Sequence, residues 1–66
     1  MKILINGEAK EFPNGTLLED VVEQLSLGGR KIAVELNRAV IRRSDWEKVT
    51  LSDNDRIEIV HFVGGG

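Results

Sequence analysis

Cysteine is absent from these 66 residues, and histidine occurs once, as His61. The first absence removes disulfides, thiolate nucleophiles and zinc sites built on thiolates, and the second removes any histidine cluster. There is no nucleophile–base pair, no metal-ligand set and no phosphate-binding loop, which makes an enzyme the least supported class. Charge of one sign is also lacking. The formal net charge is −2 and the basic residues are scattered, whereas a DNA or RNA binder carries a basic stripe, so no nucleic-acid partner is expected. No apolar run approaches the length of a membrane span, and Met1-Lys2-Ile3-Leu4-Ile5 is too short for a signal peptide, so the expectation is no membrane partner and a cytoplasmic location. A chain of this length is expected to form one domain, with a core of modest stability and no deep, enclosed active site.

What is present is concentrated at the end of the chain. An apolar strand-like run from Ile57 to Val63 gives way to Gly64, Gly65 and Gly66. Glycine lacks Cβ, so this segment can thread a channel too narrow for other residues and adopt backbone angles they avoid. Extended, three residues carry a terminal carboxylate about 10 Å beyond the fold. The sequence is therefore read as a domain over residues 1–63 and a flexible glycine tail over 64–66, with the Gly66 carboxylate as its functional group. A frayed tail of no consequence is the competing reading.

The rest of the chain reads as short elements. Residues 1–6 alternate around Ile3 and Ile5 and reach Asn6-Gly7, a dipeptide suited to a two-residue hairpin turn, with a return strand expected from Ala9 to Phe12. Pro13, Asn14 and Gly15 break that strand. Thr16-Leu17-Leu18-Glu19 then has the pattern of a capping box, and Leu17, Leu18, Val21, Val22 and Leu25 recur on one helical face before Gly28-Gly29 ends the helix. Ile32, Val34 and Leu36 alternate as a half-buried strand, followed by a turn at Asn37-Arg38 and a brief stretch from Ala39 to Ile41. Ser44-Asp45-Trp46 is a loop or a single helical turn, Val49–Leu51 a short strand, Ser52–Asp55 a turn and Arg56–Val63 the last strand. This order packs as an α+β domain, a small mixed sheet with one helix across one face.

Hairpin on Asn6-Gly7, the Val34-Glu35-Leu36-Asn37 segment, and the strand Asp55-Arg56-Ile57-Glu58-Ile59-Val60-His61-Phe62-Val63 running into the glycines together resemble the ThiS family. These are the sulfur carriers of thiamin biosynthesis, ubiquitin-like proteins of the β-grasp fold. The resemblance covers essentially the whole chain. It implies a β-grasp mixed sheet of four to five strands with one main helix. It further implies that a ThiF-type adenylyltransferase uses ATP and Mg²⁺ to convert the Gly66 carboxylate to an acyl-adenylate. A sulfur donor such as a cysteine desulfurase turns this into a thiocarboxylate, and a ThiG-type thiazole synthase receives the sulfur. Gly64 and Gly65 would line the partner's channel, and no cofactor would be bound by this chain itself. Sulfur carriers of molybdopterin synthesis or tRNA thiolation, and a ubiquitin-like modifier or interaction domain, are the alternatives.

Strand parity suggests where a partner docks. If Ile57 and Ile59 face the helix, Val60 and Phe62 face away, and Leu4 joins them if the first and last strands are neighbours, as in β-grasp proteins. Leu4, Val60 and Phe62 are thus the expected apolar docking patch. A catalytic role for His61 has little support, because no Ser, Cys or second His lies near it in sequence. Glu19, Asp20 and Glu23 read as the solvated face of the helix, Arg30-Lys31 and Arg42-Arg43 as solubilising pairs that could also steer an anionic partner, and Trp46 as an aromatic at the edge of the core.

Overall fold

The computed structural model describes residues 1–25 and 31–62. Strand β1 (Lys2–Ile5) turns through Asn6 and Gly7, at φ 49° and 86°, into β2 (Glu8–Glu11). Both turn residues sit in the left-handed region, which Gly adopts freely and Asn tolerates, and this is the geometry that matches the twist of two antiparallel strands. Helix α1 (Leu18–Gln24) follows, then β3 (Ile32–Leu36), a second left-handed turn at Asn37 and Arg38, β4 (Ala39–Ile41), a 3-10 helix (Arg43–Lys48) and β5 (Arg56–His61).

The five strands form one sheet in the order β2-β1-β5-β3-β4. β1 and β5 are parallel, with Leu4 beside Arg56 and Ile5 beside Ile57, while the other pairings are antiparallel. The first and last strands are thereby neighbours at the centre of the sheet. This is the mixed sheet with one main helix of the β-grasp architecture.

One face of the sheet carries the core. Ile3, Ile5, Ile32, Val34, Ile57 and Ile59 alternate inward and meet Leu18, Val21 and Val22 of α1, which are fully buried. Each such side chain contributes about 1.5–3 kcal/mol on burial, more than a seven-residue helix could gain from its own hydrogen bonds. Trp46 lies deeper than an edge position. It is buried, its indole N–H donates to the Ile41 carbonyl at 3.0 Å, and the Arg43 guanidinium lies 4.7 Å from its ring centroid.

Two local expectations need correction. The helix does not start on a Thr16/Glu19 capping box. Leu17 is its N-cap, and the Asp20 carboxylate accepts the Leu17 N–H at 2.9 Å, while the Thr16 hydroxyl donates to the Pro13 carbonyl at 2.7 Å. The cause is tertiary. Thr16 and Leu17 are drawn into extended pairing with residues 49–51, through Leu18 N–H to Val49 and Leu51 N–H to Thr16 bonds of 2.9 and 3.0 Å, which shifts the start by one residue. For the same reason Val49–Leu51 is a single bridge, Leu17 opposite Thr50, rather than a strand. The Gly28-Gly29 stop signal and Arg30 lie outside the described residues.

Candidate functional site

Every candidate at the carboxyl-terminal end depends on how β5 is held. Because β5 lies between β1 and β3, its residues alternate both in face and in hydrogen-bonding direction. Arg56 bonds toward the β3 side, with Asn37 N–H donating to its carbonyl at 2.8 Å, and Phe62 N–H continues that ladder to the Lys31 carbonyl at 3.0 Å. Ile57 bonds toward β1, its carbonyl accepting the Asn6 N–H at 2.9 Å.

The same alternation sorts the side chains. Ile57 and Ile59 are 1% and 6% exposed, whereas Val60 and Phe62 are 50% and 61% exposed on the face opposite α1. That face has rows. Leu4, half-buried, stands beside Arg56; the next row pairs Glu58 with Glu35 and Val40; the next pairs Val60 with Ala33. Leu4 therefore shares the face of Val60 and Phe62 but stands four strand positions from Val60, about 13 Å along β5 at the usual rise. Val40, which sequence reasoning passed over, is strongly exposed one row from Val60 and closer to it than Leu4 is along the sheet. Between Leu4 and Val60 lie Glu58 and its cross-strand neighbour Glu35, like charges directly opposed in an antiparallel pair, an arrangement that costs stability rather than adding it.

Other candidates are placed more simply. His61 is exposed at the end of β5, opposite Ile32. Glu19 and Glu23 line a shallow hollow with Val22, Arg43 and Trp46, and Asp20 is occupied at the helix start. Among the described residues no group of three His, Cys, Asp or Glu side chains could hold a metal, and no helix is long and apolar enough to cross a membrane. Gly64, Gly65 and Gly66 lie outside the described residues.

Sequence reasoning assigned Asn6 only to the turn. In the fold its side-chain amide also reaches across to β5, where Oδ1 accepts the Ile59 N–H at 2.8 Å and Nδ2 donates to the Ile59 carbonyl at 3.3 Å. Nothing in the Asn6-Gly7 dipeptide distinguishes this from an ordinary turn asparagine.

The model of the ThiS family matches residues 3–66, from the first inward residue of β1 through the last glycine. The chain belongs to the ThiS family. Over 63 residues it is 36% identical to the sulfur carrier protein ThiS of Bacillus subtilis, a match that takes in 94% of this chain and 96% of that one. The crystal structure of the thiamine biosynthesis protein ThiS from Geobacter metallireducens superposes with a TM-score of 0.84 at 26% identity, covering 100% of both chains. A thiazole synthase of Magnetococcus marinus is 46% identical over 66 residues, which is 100% of this chain and 20% of that protein. The chain thus spans about a fifth of the length of that relative.

Proposed function

We propose that this ThiS-family chain is a sulfur carrier for thiazole formation in thiamin biosynthesis, with the Gly66 carboxylate as the group that bears the sulfur. The observation that carries the reading is the reach of the family match, which runs without interruption into the terminal glycines. The likeness of this whole chain to about a fifth of a thiazole synthase supports thiazole synthase as the recipient.

The chemistry follows from the properties of a carboxylate. Ionised at neutral pH, it is a poor electrophile. A ThiF-type adenylyltransferase holding Mg·ATP lets a Gly66 oxygen attack the α-phosphate; pyrophosphate leaves, and the acyl carbon now bears AMP as a good leaving group. Sulfide attacks that carbon, AMP departs and a thiocarboxylate remains; where a cysteine desulfurase supplies the sulfur as a persulfide, its attack expels AMP to leave an acyl disulfide, which a thiol reductant cleaves to the thiocarboxylate. With no Cys in the chain, sulfur and nucleotide site both come from partners, so the protein acts as a cosubstrate rather than an enzyme and binds no cofactor itself. Gly64 and Gly65 fit the narrow channel such an enzyme needs. Val60 and Phe62, exposed on the uncovered face just before the tail, form the docking patch, with Leu4 at its far end beyond Glu58.

Intact mass measurement after incubation with a ThiF-type enzyme, Mg·ATP and sulfide tests the reading. The full chain is expected to gain the mass of one oxygen exchanged for one sulfur, and a chain lacking Gly65 and Gly66 to gain nothing. An unchanged full chain, with an adenylating enzyme active on another carrier, would refute the proposal.

A further inference from the structure

β5 outruns its neighbour. β1 pairs with it only as far as Ile5 beside Ile57, because Asn6 and Gly7 then turn the chain away. The backbone groups of Ile59 point toward the side β1 has vacated. The Asn6 amide fills that place: it carries the same carbonyl acceptor and N–H donor as a peptide group, and it takes both Ile59 backbone groups. A single residue thus ends β1, adopts the left-handed turn conformation and supplies one further rung of the parallel ladder through its side chain.

The start of β5 is held in a related way from the opposite side. Asn37, also left-handed at φ 49°, accepts the Arg56 N–H on its Oδ1 at 3.0 Å. The two ends of the central strand are therefore clamped by asparagines from two different hairpins. The clamps differ in one respect: Asn37 acts at the end remote from the tail, whereas Asn6 acts at Ile59, just before Val60, His61 and Phe62. Beyond Ile59 the described ladder continues only on the β3 side, to Lys31.

We propose that Asn6 is a positioning residue for activation of the Gly66 carboxylate: by replacing the missing rung of β1 it holds Ile59 from the β1 side and so keeps the strand that carries Val60 and Phe62 in place when the domain docks. The proposal rests on the carrier reading. Docking at Val60 and Phe62 sets where the domain sits on its activating enzyme, and the strand end sets whether a docked domain presents its carboxylate to the nucleotide. Loss of the clamp should consequently slow the docked complex more than it weakens docking.

The test compares Asn6→Gly, which keeps the positive φ and removes the amide, with Asn6→Asp, which keeps the acceptor and loses the donor, and with Asn37→Gly as a control of similar structural cost. Two quantities are read: amide hydrogen exchange in the free protein, and kcat and KM for the carrier with a ThiF-type enzyme and Mg·ATP. In Asn6→Gly the Ile59 amide should exchange about tenfold faster, as loss of one net hydrogen bond implies. Its kcat should fall about five- to tenfold with KM within about twofold, since misaligned reacting groups are penalised in the bound complex. Asn6→Asp should fall between Asn6→Gly and the parent, and Asn37→Gly should speed Arg56 exchange while leaving kcat unchanged. Unaltered Ile59 exchange, an unaltered kcat in Asn6→Gly, or equal kcat losses in the Asn6 and Asn37 variants would each overturn the positioning role while leaving the carrier reading intact. Failure of the parent chain to be adenylated would remove the carrier reading itself.

Discussion

Ile59 and Val60 are adjacent in sequence and opposite in consequence, which makes them a sharp test of the face assignment on which the docking patch depends. Ile59 is 6% exposed and Val60 is 50% exposed. Ile59→Ala deletes three buried carbons, worth about 0.8 kcal/mol each in transfer, and the cavity left against Val34 and its neighbours brings the total to about 2.5–4 kcal/mol. A domain of this size has about 3–10 kcal/mol to lose. At about 4–8 °C per kcal/mol, the Tm should drop by roughly 10–30 °C. Val60→Ala deletes two carbons that are already half in water and should cost about 0.8 kcal/mol or less. Urea unfolding followed by fluorescence reads both, because the only tryptophan, Trp46, is buried in the folded chain. On the activating enzyme the order should reverse: Val60→Asp raises KM for the carrier, whereas Ile59→Ala, measured at a temperature where it is folded, leaves KM near the parent value. Equal stability losses, or a larger loss at Val60, would refute the parity argument and with it the position of the patch.

Phe62→Asp should raise KM by about tenfold or more through lost apolar contact and an unpaired charge at the interface, with far-UV circular dichroism unchanged; a folded variant with unaltered KM would remove Phe62 from the docking surface. Asp20→Ala should cost about 0.5–2 kcal/mol in denaturant unfolding, since it strips the acceptor from the Leu17 N–H at the helix start. Glu19→Ala should cost little by comparison, and the opposite order would restore the capping box centred on Thr16.

Much of the fold was legible because it is written in short-range patterns. Asn6-Gly7 and Asn37-Arg38 mark turns by backbone preference alone, the alternation of Ile32, Val34 and Leu36 marks a strand with one buried face, and Leu18, Val21 and Val22 lie on one side of a helix at helical spacing. The helix cap was misread because Thr16 satisfies the local pattern perfectly well; only the bridge from Leu17 to Thr50, formed by a segment more than thirty residues away, draws it into extended structure. The exposed apolar patch proposed for docking was legible in face but not in layout. Parity places Leu4, Val60 and Phe62 on one side of the sheet, whereas the separation of Leu4 from Val60 depends on the parallel register of β1 against β5, and Val40 joins the face only once β4 is known to lie beyond β3.

The sequence by itself determined which residues turn, which alternate and where the glycines lie, because local backbone preference acts on a few neighbouring residues at a time. Tertiary structure alone decided the strand order, the parallel pairing of the first and last strands, and the contact between the Asn6 amide and Ile59 across a separation of 53 residues. Such pairings are selected by burial of the whole inward face and by satisfaction of backbone groups that local structure leaves open, and neither quantity belongs to any single segment.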